Sequence, residues 1–227
     1  MFVNNVSLND GTTIPQLGLG TYRLDDDTAE RVVSEALEVG YRHIDTASLY
    51  GNEVGVGRAI AASGIPRDEL YITTKCWNSE QPEARAALGR SLDRLGLDHV
   101  DLYLVHWPAP ARGTFVEAWK EFENLKADGL TTSIGVSNFL TEHLDAIAAV
   151  SDTVPVLNQI ELHPLLQQNE LRAVHGTDAH ERSRSGWPQP PKGGYRCRSQ
   201  IRRGTRRTSA LRPHRDFRPH RAKRRDA

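Results

Sequence analysis

Six short apolar runs, each followed by an amphipathic stretch, fill most of the first 175 residues of this 227-residue chain, and that alternation constrains the fold more than anything else in it. The runs cover residues 17–22, 43–47, 70–75, 100–106, 132–138 and 156–162, at a period of about 25 to 32 residues. Short continuous apolar runs bounded by turn residues suit fully buried parallel strands. Strands alternating with helices predict a parallel α/β sheet, either doubly wound or closed into a barrel. Before the first run, the turn pair Asp10-Gly11 between residues 3–8 and 12–14 predicts a hairpin.

The intervening helices carry their own start and stop signals. Asp27 with Glu30 reads as a capping box, and Gly40 stands where a glycine would stop that helix. Thr114 with Glu117 repeats the pattern and ends at Gly129. A third helix is expected from about 82 to 95, with Pro82 in its first turn and Gly96 beyond its end. A dinucleotide fingerprint is absent, because Gly18-Leu-Gly20 lacks the third glycine and the glycines at 51, 55 and 57 do not follow a strand. Polar residues instead gather at the C-terminal ends of the runs: Asp45, Lys75, His106, Asn138 and Gln159. Active sites of (β/α)8 barrels are built at that end, so the barrel is the expected architecture, here with six recognisable strand-helix units.

Asp45, Lys75 and His106 end successive strands, and Tyr50 follows Asp45 by five residues. A phenol is a weak acid, with an ordinary pKa of about 10. A neighbouring ammonium stabilises its phenolate, and a carboxylate paired with the lysine fixes the ammonium in place. Such a tyrosine can protonate a carbonyl oxygen while a histidine orients the carbonyl. No side chain donates hydride, so the constellation calls for a nicotinamide or flavin cofactor. Each residue also has a plain structural reading, as a helix cap, a solvated strand end or packing. Their joint placement carries the argument.

Several stretches closely resemble the aldo-keto reductases. They are His43-Ile-Asp45-Thr-Ala-Ser-Leu-Tyr50-Gly-Asn-Glu53, Thr73-Thr-Lys75, Asp101-Leu-Tyr-Leu-Val-His106-Trp-Pro108, Ile134-Gly-Val-Ser137-Asn138-Phe139 and Asn158-Gln159-Ile-Glu-Leu-His-Pro164. The resemblance covers residues 1 to about 175 and is strongest to the bacterial branch that includes diketogluconate reductases. It implies a (β/α)8 TIM barrel that reduces aldehydes or ketones to alcohols with NADPH. By that resemblance Tyr50 is the general acid, Asp45 and Lys75 its tuning pair, and His106 the orienting residue. Ser137, Asn138 and Gln159, with Thr21 and Asp45, are implied on the cofactor, and Tyr22, Trp77 and Trp107 on the substrate pocket. The implied partner is a small carbonyl compound. Cys76, next to Lys75 on a strand, is expected to point the opposite way as a small buried hydrophobe.

From residue 176 the character changes. Up to Gly176 there are 13 basic against 25 acidic residues, and after it 16 against 4, so the zero net charge is a cancellation of minus twelve by plus twelve. The later segment holds 14 Arg, 2 Lys and no Val, with only Ile201, Leu211 and Phe217 as large aliphatic or phenylalanine side chains. Such a composition seldom forms a core, and residues 176–227 are expected to be disordered, with no strand among them. It also reads like a GC-rich gene out of frame, so a frameshift near codon 176 and a truncated barrel are expected. The consequence would be an inactive chain. A rival reading takes Arg202-Arg203 and Arg206-Arg207 as a nucleic-acid tail. Such tails are usually Lys-rich as well, and this one begins inside an expected helix, so nucleic acid is not the expected partner. Two cysteines give neither a disulfide framework nor a zinc pattern, and no metal is expected. Without a signal-like start or a run of about 18 apolar residues, the expectation is a cytoplasmic monomer with no membrane span.

Overall fold

A computed structural model of the chain describes residues 4–175 and 198–199. The hairpin forms as expected, with β1 (Asn5–Ser7) antiparallel to β2 (Thr13–Pro15) around Gly11 at φ 86°. A positive φ costs glycine little, which suits it to this corner. The sheet follows in chain order as β3 (Leu19–Gly20), β4 (His43–Asp45), β5 (Tyr71–Cys76), β6 (Val100–Val105), β7 (Thr131–Ser137), β8 (Asn158–Ile160) and β9 (Arg198–Ser199). Neighbours in sequence are neighbours in the sheet, and every pairing is parallel.

Between the strands run α1 (Asp26–Glu38), α2 (Glu53–Ala62), α3 (Ala84–Leu95), α4 (Phe115–Ala127) and α5 (Thr141–Ala148), and α6 (Asn169–His175) follows β8. Two local signals resolve differently from the sequence reading. Asp25, not Asp27, caps α1, its Oδ1 accepting the Thr28 N–H at 2.8 Å. Asp27 and Glu30 instead meet Arg58 of α2 at 3.2 and 2.6 Å. Thr114 precedes α4, yet its hydroxyl donates to Gln81 Oε1 at 2.5 Å rather than capping the helix.

The glycines at 55 and 57 belong to a helix. A Cβ on Gly55 would stand 2.0 Å from the Asp26 carbonyl oxygen, and one on Gly57 2.5 Å from that of Leu95. The two glycines therefore let α2 lie against the start of α1 and the end of α3. Glycine lowers intrinsic helicity by about 1 kcal/mol per residue, so packing rather than propensity makes this helix.

Side chains alternate along each strand, as the pleat requires. Ile44, Ile72, Cys76, Tyr103, Val105, Ile134, Val136 and Ile160 face the helices in the main core. Tyr71, Leu102, Leu104 and Leu157 face inward, where Leu8 and Ile14 of the hairpin region close the lower end. Asp10 fastens that plug, its Oδ2 accepting from Lys126 Nζ and Ser133 Oγ, both at 2.8 Å. The inward row ends, at the strands' C-terminal side, in polar groups. Cys76 is fully buried toward the helices, and burial pushes its thiol up to about 12.

The segment after 176 was expected to contribute no strand, leaving β8 as an edge. That is corrected by Gln159 and Ile160 pairing with Arg198 and Ser199, a match of backbone groups that demands no β-rich side chains. Cys197 and the arginine pairs 202–203 and 206–207 lie outside the described residues.

Candidate active site

The end of β4 delivers Asp45, and the end of β5 delivers Lys75, both buried. Lys75 Nζ donates to Asp45 Oδ1 at 2.5 Å and to the Thr46 carbonyl at 2.8 Å. Its third donor direction reaches Tyr50 Oη at 3.5 Å. Tyr50 arrives from a one-turn 3-10 segment, Ser48–Tyr50, ended by Gly51 at φ 67°. Gln159 of β8 donates from Nε2 to Asp45 Oδ2 at 2.7 Å, so the carboxylate is engaged on both oxygens. A buried charge is tolerable only when paired and hydrogen-bonded in this way.

Burial disfavours the Asp45 carboxylate, but the Lys75 ammonium and His43 outweigh it and hold its carboxyl below the usual range. Burial likewise opposes the Lys75 charge, and the Asp45 carboxylate outweighs it, leaving the ammonium pKa raised. Tyr50 ends up the other way from a simple ammonium effect. Burial raises its phenol more than Lys75 lowers it, so it lies above the ordinary value of 10. His106, one residue beyond β6, is depressed to about 3, first by burial and then by the Lys75 charge. Its imidazole is neutral at neutral pH, and Nδ1 is buried with no hydrogen-bond partner among the described residues.

Aromatic rings enclose this cluster. The Tyr50 ring lies 5.0 Å from that of Tyr22 and 5.7 Å from that of His106, and Trp77 packs edge-on to His106 at 5.1 Å. Trp107 stands apart, 46% exposed, with its carbonyl held by Gln81 Nε2 at 2.8 Å. Thr21 is fully buried, and its hydroxyl turns to Asn52 Oδ1 at 3.3 Å and the Asp45 carbonyl at 3.4 Å.

Ser137, Asn138 and Gln159 form a polar strip beside the cluster. Asn138 takes a left-handed φ of 62° directly after β7, where asparagine is tolerated better than most residues. Its Nδ2 donates to the His106 carbonyl and to Ser137 Oγ, both at 3.0 Å, and Ser137 Oγ donates to the Gln159 carbonyl at 2.9 Å. Asn138 Oδ1 and Gln159 Oε1 accept no hydrogen bond from any described residue. Amide carbonyl oxygens left open by the described residues suit a ligand carrying amide N–H groups. Among the described residues no group of His, Cys, Asp and Glu could hold a metal ion.

Asn52 was not singled out from the sequence, yet it is fully buried and ties the loops after β3 and β4 together. Its Nδ2 donates to the Thr21 and Leu24 carbonyls at 2.8 and 2.9 Å, and its Oδ1 accepts from Thr46 Oγ1 at 3.0 Å. Nothing local distinguishes it from an ordinary asparagine beside a glycine turn.

The sequence matches the model of the Aldo/keto reductase family over residues 16–176. The chain belongs to that family. An aldo-keto reductase of Mycobacterium sp. (strain KMS) is 54% identical over 172 residues, 75% of this chain and 62% of that one. This chain thus spans about 62% of the mycobacterial relative's length. A Yersinia pestis protein named methylglyoxal reductase DkgA is 49% identical over 189 residues, 83% of this chain and 68% of that one. The Bombyx mori aldo-keto reductase, solved in complex with NADP, superposes with a TM-score of 0.70 at 38% identity, covering 82% of this chain and 64% of the other. The curled parallel sheet is therefore that of the family's barrel, here with β3 to β8 in consecutive order and β9 beside β8.

Proposed function

We propose that the chain is an NADPH-dependent reductase of small aldehydes or ketones, with Tyr50 as proton donor. The observation that carries this reading is the continuous path from Tyr50 Oη through Lys75 Nζ to Asp45, with neutral His106 against the Tyr50 ring. Bound NADPH supplies the hydride, and one solvent proton completes the balance: carbonyl, NADPH and a proton give alcohol and NADP+. Tyr50, its phenol raised by burial, is fully protonated at neutral pH and ready to donate. As its proton passes to the carbonyl oxygen, the phenolate charge forms beside the Lys75 ammonium, which Asp45 holds in place. His106, neutral because burial and Lys75 disfavour its charged form, offers a ring nitrogen to the carbonyl oxygen without competing as an acid.

On this reading Ser137, Asn138 and Gln159 hold the cofactor's carboxamide, supported by the two open carbonyl oxygens. Asp45 fixes Gln159 for that purpose, and Thr21 acts through its link to Asn52. Tyr22 and Trp77 line the substrate side against the Tyr50 and His106 rings, and Trp107, exposed one residue beyond His106, borders it. The likeness to a relative named methylglyoxal reductase makes small dicarbonyls the first substrates to try. We place the protein in the cytoplasm as a monomer; among the described residues no helix is long and apolar enough to cross a membrane. The residues after 176 are a foreign segment produced by a shift of reading frame, a reading supported by the abrupt change from acidic to arginine-rich composition. Sequencing the DNA around codon 176 tests it: neither alternative frame encoding a family-like continuation contradicts it. For activity, NADPH oxidation is followed over a carbonyl panel with the chain and with Tyr50→Phe. Loss of general acid catalysis predicts a fall in kcat of about 100-fold or more, and an undiminished rate in Tyr50→Phe contradicts the assignment.

A further inference from the structure

Tyr50 and Trp77 sit on loops rather than in strands, and one carboxylate ties those loops together. Ser48 begins the 3-10 turn that ends in Tyr50, and its Oγ donates to Glu80 Oε2 at 2.6 Å. The same Oγ lies 3.1 Å from the Lys75 carbonyl oxygen. Glu80 closes the turn that begins at Trp77, its backbone N–H donating to the Trp77 carbonyl at 2.9 Å. Its Oε1 accepts from Arg90 of α3 at 3.1 Å, and the side chain is only 20% exposed. Burial favours the neutral acid, but Ser48 and Arg90 outweigh it and keep the Glu80 carboxyl below the usual range. The turn it grips is weakly held by itself, with backbone bonds of 3.0 Å from Tyr50 N to Ala47 O and 3.4 Å from Gly51 N to Ser48 O. The contact from Tyr50 Oη to Lys75 Nζ, at 3.5 Å, is long and falls off steeply with small movements of that turn.

We propose that Glu80, acting through Ser48, is a positioning residue that holds the Tyr50 hydroxyl over the Lys75 ammonium. The inference rests on the reading of Tyr50 as proton donor. Glu80 and Ser48 touch neither substrate nor cofactor on that reading; they set the angle at which the acid meets its partner. Arg90 anchors the carboxylate to α3, so the acid's turn is referenced to the helix layer as well as to the sheet.

The test uses the full 227-residue chain with Ser48→Ala, Glu80→Ala, the double variant and Ser48→Thr. Two readouts are taken: kcat and KM for NADPH oxidation, and the 13Cζ resonance of Tyr50 in tyrosine-labelled protein, assigned as the one missing from Tyr50→Phe. Misplacing the acid relative to its ammonium predicts a roughly tenfold lower kcat in either alanine variant, about 1.4 kcal/mol of barrier. KM for NADPH stays within about twofold, and the double variant falls no further than the worse single one, because both break one path. Ser48→Thr, which keeps the hydroxyl, recovers most of the rate, and the Tyr50 resonance moves in the alanine variants and returns in Ser48→Thr. An unmoved resonance, or additive losses in the double variant, overturns the proposal. Should the parent chain oxidise no NADPH, the enzymatic reading fails, while the resonance in Ser48→Ala and Ser48→Thr still decides whether the clamp holds Tyr50. Should Glu80→Ala fail to fold, the same serine pair carries the test.

Discussion

The two sides of the candidate site are built on very different lengths of sheet. On one side, β5 and β6 pair from Thr73–Leu102 through Cys76–Val105, and they deliver Lys75 and His106 from the middle of the sheet. On the other side, among the described residues, β8 is in register with β7 at Asn158 and Gln159, with one further backbone bond from Val156 N to the Ile134 carbonyl, and with β9 at Gln159 and Ile160. Lys75 therefore stands on one long, inner strand and His106 directly beyond another, whereas Gln159 hangs on a three-residue strand near the sheet's end. Inner strands share their cross-strand and helix packing with two neighbours, and short outer strands open at lower free energy. The Lys75 and His106 side is thus expected to be more robust than the contact that Gln159 makes.

Lys75→Met breaks this comparison most severely. It leaves Asp45 buried without its cation, and removing one partner of a buried pair costs about 3–5 kcal/mol. The melting temperature should fall steeply and turnover should vanish. A fully stable Lys75→Met would mean that the pair bears little of the inner half's order.

A second effect is read by pH. The His106 pKa is pushed down to about 3 in the fold, against 6.5 for an ordinary imidazole. Between those values the unfolded chain binds the extra proton, so stability declines as pH falls below about 6.5, by at most about 1.4 kcal/mol per pH unit. The Asp45 carboxyl, lowered below 3.8, adds to the decline only at still more acid pH, as its own contribution is lost. Melting temperatures from pH 7 to 4 for the chain and for His106→Gln separate the two, since the variant should show a flatter profile over that range. Identical profiles would remove His106 from the account.

Gln159→Ala probes the thin side. It removes the 2.7 Å bond to Asp45 Oδ2 together with a candidate carboxamide contact, and hydrogen bonds to charged groups are worth about 1.5–3 kcal/mol. NADPH affinity should fall by tenfold or more, measured by fluorescence titration, with a smaller effect on folding than Lys75→Met. At the small end, Leu165→Ala should change stability by less than about 0.5 kcal/mol, because Leu165 is 94% exposed on the turn after β8.

Much of this architecture was legible in the sequence because short apolar runs, their bounding turn residues and strand-end position are local properties. Asp45, Lys75, His106 and Gln159 each fall toward the C-terminal end of an expected strand, so the polar upper layer could be written down before any geometry was known. The second helix was not legible, since Gly55 and Gly57 are poor helix formers whose purpose is contact with Asp26 and Leu95, far away in sequence. Asp25 and Asp27 look alike as caps, and Arg58 on another helix decides between them. The raised phenol of Tyr50 depends on how deeply the turn is buried, which no local pattern reports. Arg198–Ser199 joins the sheet through backbone pairing, with no alternation to announce it. Asn52 and Glu80 act across 28 to 32 residues of chain, so their roles emerge only in the fold.

The most direct measurement of the central claim is the rate of NADPH oxidation with a small dicarbonyl substrate by the 227-residue chain, set against the same chain carrying Tyr50→Phe. The account predicts turnover that the substitution lowers by about 100-fold or more while the melting temperature stays within a few degrees. Turnover that survives Tyr50→Phe unchanged, or a parent chain that binds NADPH tightly yet reduces no carbonyl, would contradict it.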